Sequence, residues 1–390
     1  MEIILDQKRA AARLHAHRMD YLHPVGRCLF RAQSFPSSSR LLRTRLPWMD
    51  RLEQIDPLTV PPWLVRPCPN QCICPSRERA CAAFQQWADS CPPLSMFLFT
   101  DGSRLNNASV GAGWYGYWGA WKQESACGHL PLPQHEIFDA EAVAATEGLK
   151  DAFKSFQAPY TQNLYVLLDN QEVAQQLQGC PRGSSQSVIQ AFQETADVWP
   201  RRSNRLQAVP AGQVQVCWIP GHAGIMGNER ADEQAKKGAR SPTSLLNPQP
   251  TRYAWARRTL KEKFWARFES FWAENAPQQY RDLSIGLDKR PHELSLPRAT
   301  LGRLLAARTG HGDFAHYHER FRHEDARTTC SCGRPKTPFH FYYCRSGRKA
   351  SPHPWGNRPV DEIVRSKSGT RDFHDWLQRS HFYQTTCPPQ

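Results

Sequence analysis

Apolar positions are unevenly distributed along the chain. Residues 96–100 (MFLFT) form an almost unbroken apolar run, as in a strand covered on both faces. Residues 110–118 alternate glycine with aromatic side chains and predict a second strand; 120–130 predict a third. Apolar spacing then lengthens, predicting a long helix over 138–156, a buried strand over 163–168, helices over 171–178 and 185–199, a last strand over 214–219 and a last helix over 228–240. Strands in series, followed by alternating helices and strands, predict an α/β domain with a mixed sheet and helices on its faces.

The flanks have a different texture. Residues 2–19 read as one helix, 34–45 as a Ser/Arg-rich loop and 49–55 as a short helical patch, while Pro57, Pro61, Pro62 and Pro67 predict a linker over 57–70. A second linker is expected from Ser241 to Thr251, then helical stretches over 252–276 and 293–308, a segment rich in His and Cys up to Cys344, and an amphipathic piece near 373–376. Three regions follow: 1–95 as a helical connection and linker, 96–240 as the α/β domain, and 241–390 as a mostly helical region.

Charge sharpens this division. Residues 96–240 carry 12 Lys/Arg against 14 Asp/Glu, whereas 241–390 carry 25 against 14 and 1–95 carry 13 against 8. Basic flanks suit a polyanionic partner, because each Lys or Arg on a phosphate releases counterions. The 13 cysteines are an odd number, no secretory signal is visible, and no apolar run approaches the ~20 residues of a membrane span. The expectation is an intracellular protein, nuclear or cytoplasmic, with no membrane partner and with thiols that are buried or metal-bound. Cys68, Cys72, Cys74, Cys81 and Cys91 lack a histidine at ligand spacing and read as unpaired loop thiols.

Four acids carry the chemistry. Asp101 ends the first apolar strand, Glu141 lies in the long helix, Asp169 ends the strand LYVLL, and Asp232 sits near the start of the last helix. Each has an ordinary reading: a strand ending in Asp-Gly is usually a hairpin turn, and an acid near a helix start favours the dipole. Together, two strand ends and two helices can bring four carboxylates to one sheet edge, where cations must neutralise them. Mg²⁺, with Mn²⁺ as the alternative, suits carboxylate oxygen, and two such ions ~3.5–4 Å apart stabilise the attacking and leaving oxygens of a phosphodiester displacement. His222, flanked by Gly221, Gly224 and Gly227, lies on a flexible loop just before Asp232 and can shuttle a proton or assist product departure.

The segments FTDGS (99–103), DAEAVA (139–144), LLDNQ (167–171) and WIPGHAGIMGNERADEQAKKGA (218–239) resemble the ribonuclease H family. The resemblance implies a five-stranded mixed sheet whose first three strands are antiparallel. It also implies an endonuclease that cuts the RNA strand of RNA–DNA hybrids, two Mg²⁺ on Asp101, Glu141, Asp169 and Asp232, and turnover assisted by His222. Gly102, Ser103, Asn170, Gln171 and Asn228 are the implied substrate contacts. Departures are visible: Ile137 and Phe138 stand where many cellular members carry Asn. Residues 172–200 hold one basic residue, Arg182, in place of a basic handle, with Arg201, Arg202 and Arg205 as a partial substitute.

Cys330, Cys332, His340 and Cys344 form C-x-C-x7-H-x3-C, three thiols and an imidazole that match a structural tetrahedral zinc site. The aromatics around it, Phe339, Phe341, Tyr342 and Tyr343, either pack this small domain or stack on unpaired bases of single-stranded nucleic acid. The stretch from Leu296 to Cys344 also resembles the region after ribonuclease H in fungal non-LTR (LINE-like) retrotransposon polyproteins; residues 2–19 and 39–67 resemble, more loosely, the connection that precedes it. No Tyr-x-Asp-Asp polymerase motif is present, so the expectation is a C-terminal fragment without the polymerase. The second reading is a non-catalytic nucleic-acid-binding remnant. Oligomeric state has no signature in the sequence.

Overall fold

The computed structural model describes residues 51–56, 77–119, 121–242, 249–288 and 291–388. The expected helix over 2–19, the loop over 34–45, the linker over 57–70 and Cys68, Cys72 and Cys74 lie outside the described residues. The chain divides into two compact units, Met1–Phe264 and Trp265–Gln390.

In the first unit, helix α1 (Ala80–Ser90) precedes strands β1 (Met96–Arg104), β2 (Val110–Trp118) and β3 (Gln123–Pro131). Helix α2 (Ile137–Lys154) leads to β4 (Leu164–Leu168), then α3 (Gln171–Gln178), α4 (Gln186–Val198), β5 (Val214–Trp218) and α5 (Met226–Arg240). The five strands lie in the order β3-β2-β1-β4-β5. β1–β2 and β2–β3 pair antiparallel, while β1–β4 and β4–β5 pair parallel, so the sheet is mixed as expected.

β1 is apolar throughout its first half because both faces are covered. Met96 and Leu98 meet Ala142, Ala145 and Leu149 of α2 in one core cluster. Phe97 and Phe99 face the other way, toward Phe84 of α1 and Ala231 of α5. The glycine spacing of β2 serves the second face. A Cβ on Gly113 would stand 2.0 Å from the backbone nitrogen of Ala235, so only glycine lets α5 lie this close to the sheet. Two of the boundaries that differ from the sequence expectation bear on the site. β1 continues through Asp101 and Gly102, which pair with Gly113 and Ala112, and the turn falls later, where Leu105 N–H bonds to Ser109 O. α5 starts at Met226, so Asp232 lies in its second turn rather than at its opening.

Segments beyond the α/β domain complete this unit. Glu53 pairs with Arg252 at 3.0 Å, and both side chains are almost wholly buried. Glu53 also accepts hydrogen bonds from Ser184 Oγ, Ser185 N–H and Tyr253 N–H. The Arg252 guanidinium is 3.0 Å from His135 Nε2. This buried polar buckle lies beside the start of α2, the helix that carries Glu141.

α6 (Tyr253–Asn275) contains the boundary between units. The second unit is helical: α7 (Gln278–Asp282), α8 (Arg298–Thr309), α9 (Ala315–Arg320), α10 (His340–Tyr343), α11 (Arg345–Ala350), α12 (Val360–Arg365) and α13 (Lys367–Ser380). Its core joins Phe341, Trp355, Phe373, Trp376 and Phe382 with the thiols of Cys330, Cys344 and Cys387. Among the described residues no helix is long and apolar enough to cross a membrane.

Candidate active site

The parallel pairing of β1 with β4 creates the site. Phe99 pairs with Leu167, so two residues further along each strand Asp101 and Asp169 reach the same level at the carboxyl ends of adjacent strands. Such an end, beside a crossover, is where α/β sheets gather ligand-binding groups. α2 brings the third acid. Its N-terminus is fixed by a capping box in which the Glu136 N–H donates to Asp139 at 2.9 Å, and Glu141 follows two residues on, buried against the sheet. One oxygen each from Asp101, Glu141 and Asp169 lie within 4.8 Å of one another. The neighbouring α5 and the loop before it supply a second group, His222, Glu229 and Asp232, within the same mutual distance.

All four sequence-predicted carboxylates and His222 line one open cleft of about 750 Å³. Gly102, Ser103, Asn170 and Gln171 line it too, with Ile137 and Arg104. Asn228 is placed differently from the expected substrate contact. It is buried and hydrogen-bonds the Asp169 carboxylate, so it orients an acid instead of facing the cleft. Asn170 caps α3 by accepting the Val173 N–H at 3.2 Å.

Electrostatics mark these acids as strained by each other's charge. Burial, reinforced by Asp169 and Asp232, pushes Asp101 up to about 7. Burial next to Asp101 and Asp169 raises Glu141 well above the carboxylate range. Asp169 is raised by burial, against the pull of Asn228 and His222. Glu141 Oε2 is buried with no hydrogen-bond partner. A buried acceptor with no donor, among converging hard oxygen donors, fits a divalent cation of the Mg²⁺ or Mn²⁺ type.

Sequence reasoning missed Lys236, which holds Asp232 at 2.5 Å from the same helix face. The i,i+4 spacing of Asp232 and Lys236 was the available sign. It also overrated Arg202 and Arg205 as a substrate grip. Arg202 is buried, stacks on Trp199 at 3.9 Å and donates to the carbonyls of Trp199 and Ala158. Arg205 donates to the Val209 carbonyl. Gly221 shows why the His222 loop needs glycine. A Cβ there would stand 2.3 Å from Asp169 Oδ2.

In the second unit Cys330, Cys332, His340 and Cys344 converge with donor atoms within 4.8 Å of one another, as the C-x-C-x7-H-x3-C spacing predicts. Cys330 and Cys344 sulfurs are 3.9 Å apart, and Cys332 Sγ is 3.4 Å from His340 Nε2. The buried Cys387 packs in the same cluster, a contact the sequence spacing did not reveal.

Fold and site together define an α/β protein with an acidic, cation-accepting cleft over its central parallel strands. A family model described as RNase H matches residues 93–240. The ribonuclease H of Edwardsiella ictaluri is 32% identical over 149 residues, spanning 37% of this chain and 90% of that protein. The ribonuclease H of Yersinia pestis is 30% identical over the same length and shares. The chain belongs to the ribonuclease H family. Among solved structures, the N-terminal RNase H domain of a Mycobacterium tuberculosis protein is 18% identical, covering 38% of this chain and 97% of that chain at a TM-score of 0.29. RNase H1 of Halobacterium salinarum is 19% identical, covering 37% and 98% at 0.27.

Proposed function

We propose that this chain hydrolyses the RNA strand of RNA–DNA hybrids, leaving a 5′-phosphate and a 3′-hydroxyl, at the cleft formed by Asp101, Glu141, Asp169, Asp232 and His222. The observation that carries it is the convergence of three partly or wholly buried carboxylates, one with an unpartnered oxygen, beside a second donor group holding Asp232. Asp101, Glu141 and Asp169 would hold one divalent cation and Asp232, with its neighbours, would help hold another. Bound there, such cations neutralise the acids, lower the pKa of a coordinated water and offset charge on the leaving oxygen.

The chain's own groups do the rest. Lys236 keeps Asp232 in place through its ammonium, and Asn228 does the same for Asp169. His222, exposed at the cleft wall, would pass a proton to the departing 3′-oxygen. Ser103 and Gln171 face the cleft and offer hydrogen bonds to the strand, whose 2′-hydroxyl distinguishes RNA from DNA. Ile137, 43% exposed at the cleft rim, offers only apolar contact where a polar grip was expected to be lost. Affinity then falls to the basic flanks.

Two finer readings accompany this. The Cys330, Cys332, His340, Cys344 cluster holds a structural zinc ion, supported by three sulfurs and one imidazole nitrogen at mutual ligand distance. The retroelement origin rests on the resemblance of residues 296–344 and of the N-terminal segments to LINE-like polyproteins.

The test is a labelled RNA–DNA hybrid incubated with and without Mg²⁺. Wild-type protein is expected to cut the RNA strand only with the cation. Asp101→Asn is expected to lower the rate by roughly 10³-fold or more, the several kcal/mol that a metal site supplies, with an unchanged circular dichroism spectrum. Substantial cleavage by Asp101→Asn would refute the assignment.

A further inference from the structure

The second unit contains a half-open cleft that the cleavage reading does not use. It measures about 290 Å³ and is walled by α8 on one side and by Phe314, Phe382 and Tyr383 on the other. From these groups we infer that it is a binding site for a single nucleotide, its base stacked at the Arg303–Tyr383 pair and its phosphate met by arginine.

Three features point to that chemistry. The first is shape. α8 presents Ala299, Gly302 and Ala306 to the cleft, small residues set between Arg298 and Arg303. Gly302 lies inside a helix, where glycine costs roughly 1 kcal/mol relative to alanine. A Cβ added there would meet nothing within 4 Å, so packing inside the chain does not require glycine.

The second is the aromatic and guanidinium pair. The Arg303 guanidinium lies over the Tyr383 ring at 4.4 Å, and Phe314 and Phe382 are buried beside it. Bases stack on such rings and on arginine planes whatever their identity, because every base has a π-face.

The third is charge. Lys336 in the lining is already matched by Asp313 at 2.7 Å. Arg298 and Arg303 form no ion pair with the described residues, which leaves two uncompensated cations at the cleft for a phosphate. The volume lies near the lower bound of small-molecule sites, roughly 300 Å³, which suits one nucleotide and not a duplex.

The nucleotide can come from an unpaired stretch of a strand or from a free monophosphate. One experiment separates them. The full chain is irradiated with a single-stranded oligonucleotide carrying one 5-iodouracil, and separately with 5-iodouridine 5′-monophosphate, and the adducts are mapped by peptide mass spectrometry. The expected adduct is on Tyr383. Its yield should fall roughly tenfold or more, the scale of losing a base stack, in Gly302→Gln, which fills the cleft from an open helix position, and in Arg303→Ala. Both variants should keep the wild-type melting curve. Adduct with the oligonucleotide alone assigns the site to a strand; adduct with the monophosphate as well assigns it to nucleotides in general. Adducts confined to other segments, or an undiminished yield in Gly302→Gln, would overturn the inference. A chain that forms the Tyr383 adduct but fails to cut hybrid would keep this site and discard the cleavage reading.

Discussion

At the scale of single residues, the acids are held at a cost that shows as a dependence on pH. Asp101 is pushed up to about 7 from an ordinary 3.8, by burial first and then by Asp169 and Asp232. A carboxylate raised on folding contributes stability below its unfolded value and loses it as pH climbs through the folded value. In chelator, the unfolding temperature is therefore expected to fall between pH 4 and pH 7, and Mg²⁺ at pH 7–8 should restore it. Asp101→Asn should flatten the fall and stabilise the metal-free protein at pH 8 by roughly 1–3 kcal/mol, since it removes one of several like charges. Differential scanning fluorimetry across pH decides this. A variant less stable than wild type at pH 8 in chelator contradicts the picture of mutual repulsion. The residue identities were legible from the sequence, because four acids in order on predicted elements outweigh their separate ordinary readings. The support around them was not: Asn228 looked like a substrate contact, and only burial shows that it serves Asp169.

At the scale of elements, the site depends on pieces outside the matched 93–240. Glu53 and Arg252, 199 positions apart in sequence, meet as a buried pair beside the entry to α2. Arg258 and Arg104 both pair with Glu136, the residue that caps that helix. Breaking a buried pair strands a charge without solvent, at a cost of roughly 3–5 kcal/mol. Glu53→Ala is expected to lose about that much in urea unfolding. Glu147→Ala, which removes a largely exposed pair with Lys150, should lose roughly 0–1 kcal/mol. Equal effects from the two substitutions would show that the buckle does not hold the unit together. Hydrophobic periodicity found all five strands and helices α2 to α5, but it missed α1, where Cys81 read as a loop thiol, and it set the end of β1 too early. Asp-Gly has strong turn chemistry, and here the β2 ladder overrides it, since Asp101 and Gly102 keep partners in Gly113 and Ala112. Local propensity is a weak guide wherever cross-strand pairing is available.

At the scale of the whole molecule, a slightly acidic catalytic region sits in one chain with a strongly basic helical one, 25 Lys/Arg against 14 Asp/Glu over residues 241–390. The second unit builds its core around thiols, Cys330 and Cys344 among them, and the zinc proposed there should set its stability. Purified protein is expected to carry about one zinc per chain. Removing it with a strong chelator should lower the calorimetric transition of the second unit while leaving that of the first in place. A zinc content near zero by atomic emission would remove the metal from the account. Cysteine and histidine spacing made this cluster readable in advance. Cys387 was not readable, because its approach to the cluster depends on how α13 and the final residues pack against Phe341 and Trp376.

The sequence by itself determined the family, the order of the five strands and of helices α2 to α5, the acids and the ligand-type spacing near Cys344. Those features are local: periodicity, turn residues and short motifs act over a few positions, and a chain displays them without folding. Tertiary structure decided which groups meet. Parallel register sets Asp101 level with Asp169, glycines on β2 let α5 bring Asp232 close, and distant Glu53 and Arg252 lock the start of the Glu141 helix. Burial then raises Asp101, Glu141 and Asp169, because desolvation depends on what surrounds a group in space and not on what precedes it in the chain.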